Sequence, residues 1–293
     1  MTHIPVLQKE VIQYLDPKPN ENFIDATIGQ GGHTFFILGK NKPKGKVLGI
    51  DADPEQIENI KHIELKDRLI LVNDSYINLK NIVKKHNFKP VNGILFDLGM
   101  SSWHLEESKR GFSFQRNEPL DMRYDKNQKH LTAEDIINQW PEKEIEQILR
   151  EYGEERFSGR IAKEIVEARR KNPIKSTFQL VELIKKSTPS WYQNKRIYFA
   201  TKTFQALRIA VNHELETIKQ GLEQALDVLE KGGRLVVISF HSLEDRIVKN
   251  SLKEKAKQGI IKIETKKPIK PSFQEIKTNK RSRSAKLRVA IRI

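Results

Sequence analysis

The segment Asn22–Thr34, NFIDATIGQGGHT, runs from an apolar strand pattern through clustered glycines into a helix. Such a turn belongs to a sheet that delivers backbone to a ligand, because glycine adopts left-handed dihedrals and carries no side chain to keep the ligand away. The pattern recurs. GKVLGIDADP is a second strand stopped by Pro54, DRLILVND a third and VNGILFDLG a fourth, each separated from the next by helical spacing. The segment PVLQKEVIQYL before them has helical spacing as well. Strands and helices in alternation predict βαβ units and a mostly parallel α/β sheet with helices on both faces.

From about Arg110 to Asn212 the strand signal disappears. TAEDIINQWPEKEIEQILREYG, EERFSGRIAKEIVEARRKN and TFQLVELIKKS carry apolar residues every three or four positions. The stretch Thr201–Gly233 reads as one long helix stopped by Gly232 and Gly233. Strand character returns in GRLVVISF, followed by a helix at HSLEDRIVKN, with Ser242 and Asp245 spaced as a capping box. The late runs IIKIET and LRVAIRI fit an antiparallel pair closing the sheet. The expected organisation is a first α/β part over 1–109, an all-helical insertion over 110–212, and a second α/β part over 213–293.

Several functions are excluded early. With no cysteine among 293 residues, disulfides, thiolate zinc sites and a cysteine nucleophile are ruled out. No Gly-Lys-Ser/Thr follows the glycines, so the turn is not a P-loop. There is no signal-like leader and no stretch of membrane-spanning length, so a cytoplasmic location without membrane contact is expected. The formal charge of +15 favours a polyanionic partner, since Lys and Arg release counterions from phosphates. Lys277–Arg288, KTNKRSRSAKLR, concentrates six basic residues without an acid.

The strand ends carry the candidate site: Gly29, Gly31, Gly32 and His33 after the first, Asp51 ending the second, Asn73, Asp74 and Tyr76 after the third, and Asp97 after the fourth. A glycine turn with a carboxylate about twenty residues on suits a nucleoside cofactor, with Asp51 accepting from the ribose hydroxyls. A dinucleotide site prefers a third glycine where Thr34 stands, which favours a methyl donor but leaves a nicotinamide oxidoreductase open. Asp97 is the candidate nearest the chemistry, with Ser101 and Ser102 as weaker candidates; Asp97 equally suits a cofactor ligand or a turn cap. His241, Glu244 and Asp245 read either as cleft residues or as a helix cap with an ion pair to Arg246. Trp191–Phe199, WYQNKRIYF, reads either as core or as a stacking surface for unpaired bases.

The blocks HIPVLQKEV, DATIGQGGHT, GIDADP, GILFDLGMSS, RGFSFQRNEPLDMR, YGEERFSGRIAKEIV, FQALRIAVNHEL, GGRLVVISFHSLEDRIVK and RSRSAKLR resemble, in order from His3 to Arg288, those of the bacterial small-subunit rRNA cytosine-N4 methyltransferases, the RsmH (MraW) family. The resemblance implies a class I S-adenosylmethionine-dependent methyltransferase fold, Rossmann-like, with an inserted helical domain. It implies methylation of the exocyclic N4 of a cytidine in the decoding region of 16S rRNA, with the small ribosomal subunit as partner and no metal. A homodimer and a noncatalytic assembly factor stay open. Carried over by position, Gly31, Gly32 and His33 fall in the cofactor loop, Asp51 on the ribose and Tyr76 at an adenine-facing position where the family usually has Phe. Asp97 opens the DLGxSS segment, and His104 after Trp103 occupies a cofactor position where Gln after Pro is usual. Asn212 and His213 carry a functional assignment by resemblance alone.

Overall fold

The structure, a computed structural model, describes residues 4–61, 66–127 and 130–293; His3, where the first family block opens, lies outside them. The chain divides into two compact units, Met1–Gly99 with Leu215–Ile293, and Met100–Glu214. The insertion so delimited begins ten residues before the sequence boundary at 110 and ends two residues after 212.

The first unit is built on seven strands, β1 (Phe23–Asp25), β2 (Val47–Asp51), β3 (Leu69–Asn73), β4 (Gly93–Asp97), β5 (Arg234–Ser239), β6 (Ile261–Ile263) and β7 (Lys286–Arg292). Their order is β3-β2-β1-β4-β5-β7-β6. The first five are parallel, and β7 runs antiparallel to both β5 and β6. This is the mostly parallel α/β sheet expected from the sequence, with its strand order reversing between β1 and β4. The helices α1 (Gln8–Leu15), α2 (Gly32–Lys40), α3 (Pro54–Ile60) and α4 (Leu79–Lys85) precede the insertion.

Strand residues alternate between two apolar cores, as a pleat of period two requires. Ile94, Phe96, Leu235 and Val237 join the core that holds Leu79, Ile82 and Val83 of α4. Leu95, Val236 and Ile238 join the opposite core with Val11 and Leu15 of α1 and Ile37 of α2. A sheet buried on both faces explains why its strands are continuous apolar runs rather than alternating ones. Each such side chain, taken fully out of water, contributes roughly 1.5–3 kcal/mol before entropy is counted.

The second unit is helical: α5 (Ser102–Glu106), α6 (Ala133–Gln139), α7 (Glu142–Glu151), α8 (Ser158–Arg169), α9 (Thr177–Ser187), α10 (Ser190–Gln193) and α11 (Thr201–Asn212). Its own core includes Ile136, Ile145, Leu149, Ile161, Leu180, Phe204 and Leu207. The stretch expected as one long helix is two, α11 and α12 (Glu214–Val228). His213 sits between them at φ 50°, ψ 36°. Asn212 donates its amide to the carbonyls of Met122 and Arg208 and accepts from the Tyr124 N–H. Arg208 then reaches Glu214 through Nε and a terminal nitrogen at 2.8 and 3.0 Å. Six residues apart on a straight helix, these side chains would point away from each other, so the break at His213 is what lets them pair.

The chain returns to the first unit through α12, α13 (Ser242–Lys257) and α14 (Phe273–Thr278). The cap of α13 is His241, not Ser242: His241 Nδ1 accepts from the Glu244 N–H, and Glu244 Oε2 accepts from the N–H groups of Phe240 and His241. Asp245 turns toward the sheet, accepting from Arg288 at 2.7 Å and Lys286 at 3.0 Å on β7. Burial pushes its carboxyl up, but these two cations outweigh that and hold it below the ordinary range. Among the described residues, no helix is long and apolar enough to cross a membrane.

Candidate functional site

Register gathers four polar strand ends at one edge of the first unit's sheet. Asp25 pairs with Leu95 of β4, two residues before Asp97, and Asp51 pairs with Asn73 of β3. Side chains at the carboxyl ends of parallel strands beside a direction reversal surround the usual ligand crevice of such sheets.

The glycine turn is held by carboxylates on both sides. Asp51 Oδ2 accepts from the Gly29 N–H and Oδ1 from the Asp53 N–H, both at 2.9 Å. An ionised carboxylate offers about four acceptor positions, the chemistry a ribose hydroxyl pair requires. Gly31 caps α2 at φ 77°, and a Cβ there would lie 2.7 Å from the Phe35 ring. The turn therefore needs glycine for the protein's own packing as well as for ligand approach.

Asp25, which the sequence reading did not single out, ends β1 with its side chain buried. Its Oδ2 accepts from the Thr34 hydroxyl at 2.6 Å. This bond gives Thr34, at the third-glycine position of a dinucleotide site, a local reason. The available signal was an acidic residue closing an otherwise apolar strand two positions before Thr27. Burial raises the Asp25 carboxyl, and nearby Asp97 adds to the shift, against the lowering by Thr34, His33 and the Thr27 N–H.

That shift has a testable sign. An acid with a raised folded value binds more protons folded than unfolded, so its contribution to stability falls as pH rises above about 4. Asp25→Asn keeps an acceptor for Thr34 and removes the charge. Thermal unfolding should therefore show its stability relative to the parent increasing as pH rises above about 4. A pH-independent difference would refute a raised Asp25.

His33 is buried in the first turn of α2, with Nε2 3.7 Å from Asp97 Oδ2, beyond hydrogen-bond distance. Both His33 ring nitrogens and Asp97 Oδ1 are buried without a hydrogen-bond partner among the described residues. The Asp97 N–H donates to Thr27 Oγ1 at 2.7 Å, which fixes the backbone while leaving the carboxylate uncommitted. Unpaired buried donors and acceptors are costly, and at a strand-end crevice they mark where a polar ligand completes the bonding. The donor set fits a nucleoside cofactor bearing an amino-acid tail.

Tyr76 lies further along the same edge, in edge-to-face contact with Phe96 at 5.3 Å. Gly221 of α12 lets the Tyr76 ring lie directly against the helix.

The remaining sequence candidates belong to the second unit. Ser101 caps α5: its hydroxyl accepts from the His104 N–H, and its own N–H donates to His104 Nδ1 at 3.1 Å. Ser102 is the first residue of that helix. His104 is buried among Phe112 at 5.0 Å, Tyr124 at 5.1 Å and Trp103 at 5.5 Å between ring centroids. Sequence reading also missed Arg208, Glu214 and Tyr124, whose hydroxyl donates to Glu214 Oε1 at 2.9 Å. No local spacing announces that network.

Known proteins match the chain from end to end. A curated relative from Persephonella marina, named ribosomal RNA small subunit methyltransferase H, is 49% identical over 293 residues, covering 99% of both chains. One of the same name from Thermosipho melanesiensis is 49% identical over 293 residues, covering 99% of this chain and 98% of the relative. Another from Halothermothrix orenii is 45% identical over 309 residues, covering 100% and 99%. Residues 1–293 also match the family described as the MraW methylase family. With its strand order, its glycine turn and this full-length match, the chain belongs to the MraW methylase family.

Proposed function

We propose that the protein is an S-adenosylmethionine-dependent rRNA methyltransferase. It modifies the exocyclic N4 of a cytidine in the decoding region of 16S rRNA, within the small ribosomal subunit and in the cytoplasm. The observation that carries the reading is the set of buried, unpartnered polar atoms on His33 and Asp97 beside the β1–β4 reversal, in a chain of this family.

The cofactor supplies an electrophilic methyl group when bound. Asp51 would accept from its ribose hydroxyls, Tyr76 would face the adenine, and Gly31, Gly32 and His33 would border its amino-acid end. His104 joins this set by family position. The amino nitrogen of cytosine is a poor nucleophile because its lone pair is delocalised into the ring. Asp97 would accept a hydrogen bond from that amino group, localise the lone pair, and take the proton that the amino nitrogen loses once it carries the methyl group. Ser101 and Ser102 are secondary candidates for holding the base. Residues 110–212 serve rRNA recognition. The target base leaves its stack to reach the site.

The test is methyl transfer to small subunits lacking their native methylations, followed by digestion and nucleoside mass analysis. N4-methylcytidine is expected, with titration showing binding of S-adenosylmethionine and none of a nicotinamide dinucleotide. Nicotinamide binding alone would favour an oxidoreductase. Tight binding of the methyl donor with no methylated nucleoside on any rRNA state would favour an assembly factor.

A further inference from the structure

The segment WYQNKRIYF divides in the fold. Tyr192 and Phe199 are core residues, whereas Trp191, Ile197 and Tyr198 are 50%, 60% and 40% exposed. Trp191 rests on a braced base. Glu155, itself buried, accepts from the Tyr192 hydroxyl at 2.7 Å through Oε2 and from the Phe157 N–H at 2.9 Å through Oε1. Phe157, Tyr192 and Trp191 then meet edge to face, with centroids 4.9 to 5.9 Å apart. The indole is thereby fixed while half of its surface stays exposed.

Cations surround it. Lys195 Nζ lies 4.9 Å and Arg156 Cζ 5.3 Å from the Trp191 centroid, while Arg160 Cζ lies 5.6 Å from that of Phe157. All three side chains are exposed, Arg196 follows Lys195, and no acidic residue occurs from Trp191 to Tyr198.

We propose that Trp191 is a stacking platform for one unpaired RNA nucleotide, with Arg156, Arg160 and Lys195 holding the adjoining phosphates. Solvated cations over and beside a half-exposed indole suit a polyanion better than an apolar protein partner. A duplex keeps its base faces stacked internally, so the platform selects single strands. Exposed Lys195 gives way readily, since a solvated cation over an indole is worth less than a stacked base. The proposal rests on the rRNA reading above and adds a contact outside the cofactor crevice.

The experiment uses the full chain and a fluorescent, unstructured RNA oligonucleotide, with a duplex of equal length as control. Trp191→Leu should weaken single-strand binding about tenfold and remove most of the binding-induced quenching of intrinsic fluorescence, with Trp191→Phe intermediate. Duplex binding and thermal unfolding should not change. Arg156→Ala with Lys195→Ala should lower the salt slope by about 0.7 per lost phosphate contact. Equal weakening of single strand and duplex would reduce the site to a charge patch and overturn the proposal. Unchanged single-strand binding by Trp191→Leu, with methyl transfer intact, would overturn this inference alone. Failure of the parent chain to bind RNA of any form would overturn the rRNA reading as well.

Discussion

Asp97→Ala should lower methyl transfer to the small subunit by about 10²- to 10⁴-fold, the range expected when a positioned proton acceptor is removed. The fold should survive the change. Asp97 Oδ1 is buried without a hydrogen-bond partner among the described residues, so truncation relieves desolvation rather than breaking a bond. The backbone bond from the Asp97 N–H to Thr27 does not involve the lost side chain. Single-turnover rates and cofactor titration separate the two roles open to this residue. A proton acceptor loses rate while the cofactor dissociation constant holds. A cofactor ligand loses affinity, and saturating cofactor restores the rate. Full activity of the variant would remove Asp97 from the site.

Glu214→Ala should destabilise the second unit by about 3–5 kcal/mol, because it removes the carboxylate that pairs with a buried guanidinium. Arg208 and Glu214 are only 10% and 7% exposed, joined by two short bonds, with the Tyr124 hydroxyl on the same carboxylate. Tyr124→Phe, which leaves the ion pair intact, should cost only about 0.5–1.5 kcal/mol. The double replacement Arg208→Met with Glu214→Leu should recover most of the loss, since well-packed apolar side chains often replace a buried pair at no cost. Urea unfolding of the four proteins measures this directly. A loss below about 1 kcal/mol for Glu214→Ala would mean that water reaches and screens the pair.

The alternation of strands and helices and the buried strands follow from local rules, and these parts were legible in the sequence, whereas the cap of α13 was read one residue late. Hydrophobic period and turn chemistry act over a few residues, so they can be read without knowing what packs against them. The segment TFQLVELIKKS forms α9 over the same residues, and the two late apolar runs pair antiparallel. The glycine turn was legible for the same reason: glycines clustered after a strand end announce a tight turn locally, though not which ligand it meets.

Other features depend on partners distant in the chain. The expected long helix breaks at His213 because Asn212 is bonded to residues 122–124 and Arg208 to Glu214, and neither propensity nor periodicity records such bonds. Asp245 answers β7 because register places Lys286 and Arg288 beside it. Asp25, at the end of an apolar run, acquires its role only when Thr34 folds back over it. The ambiguity in WYQNKRIYF was likewise beyond any local rule, since burial of Tyr192 and exposure of Trp191 depend on Glu155, thirty-seven residues before Tyr192. The α/β class, the glycine turn and the family could be read from the order of residues along the chain. Tertiary structure alone decided which polar groups find partners and which stay open, because hydrogen bonds and burial are settled between elements that the chain order keeps apart.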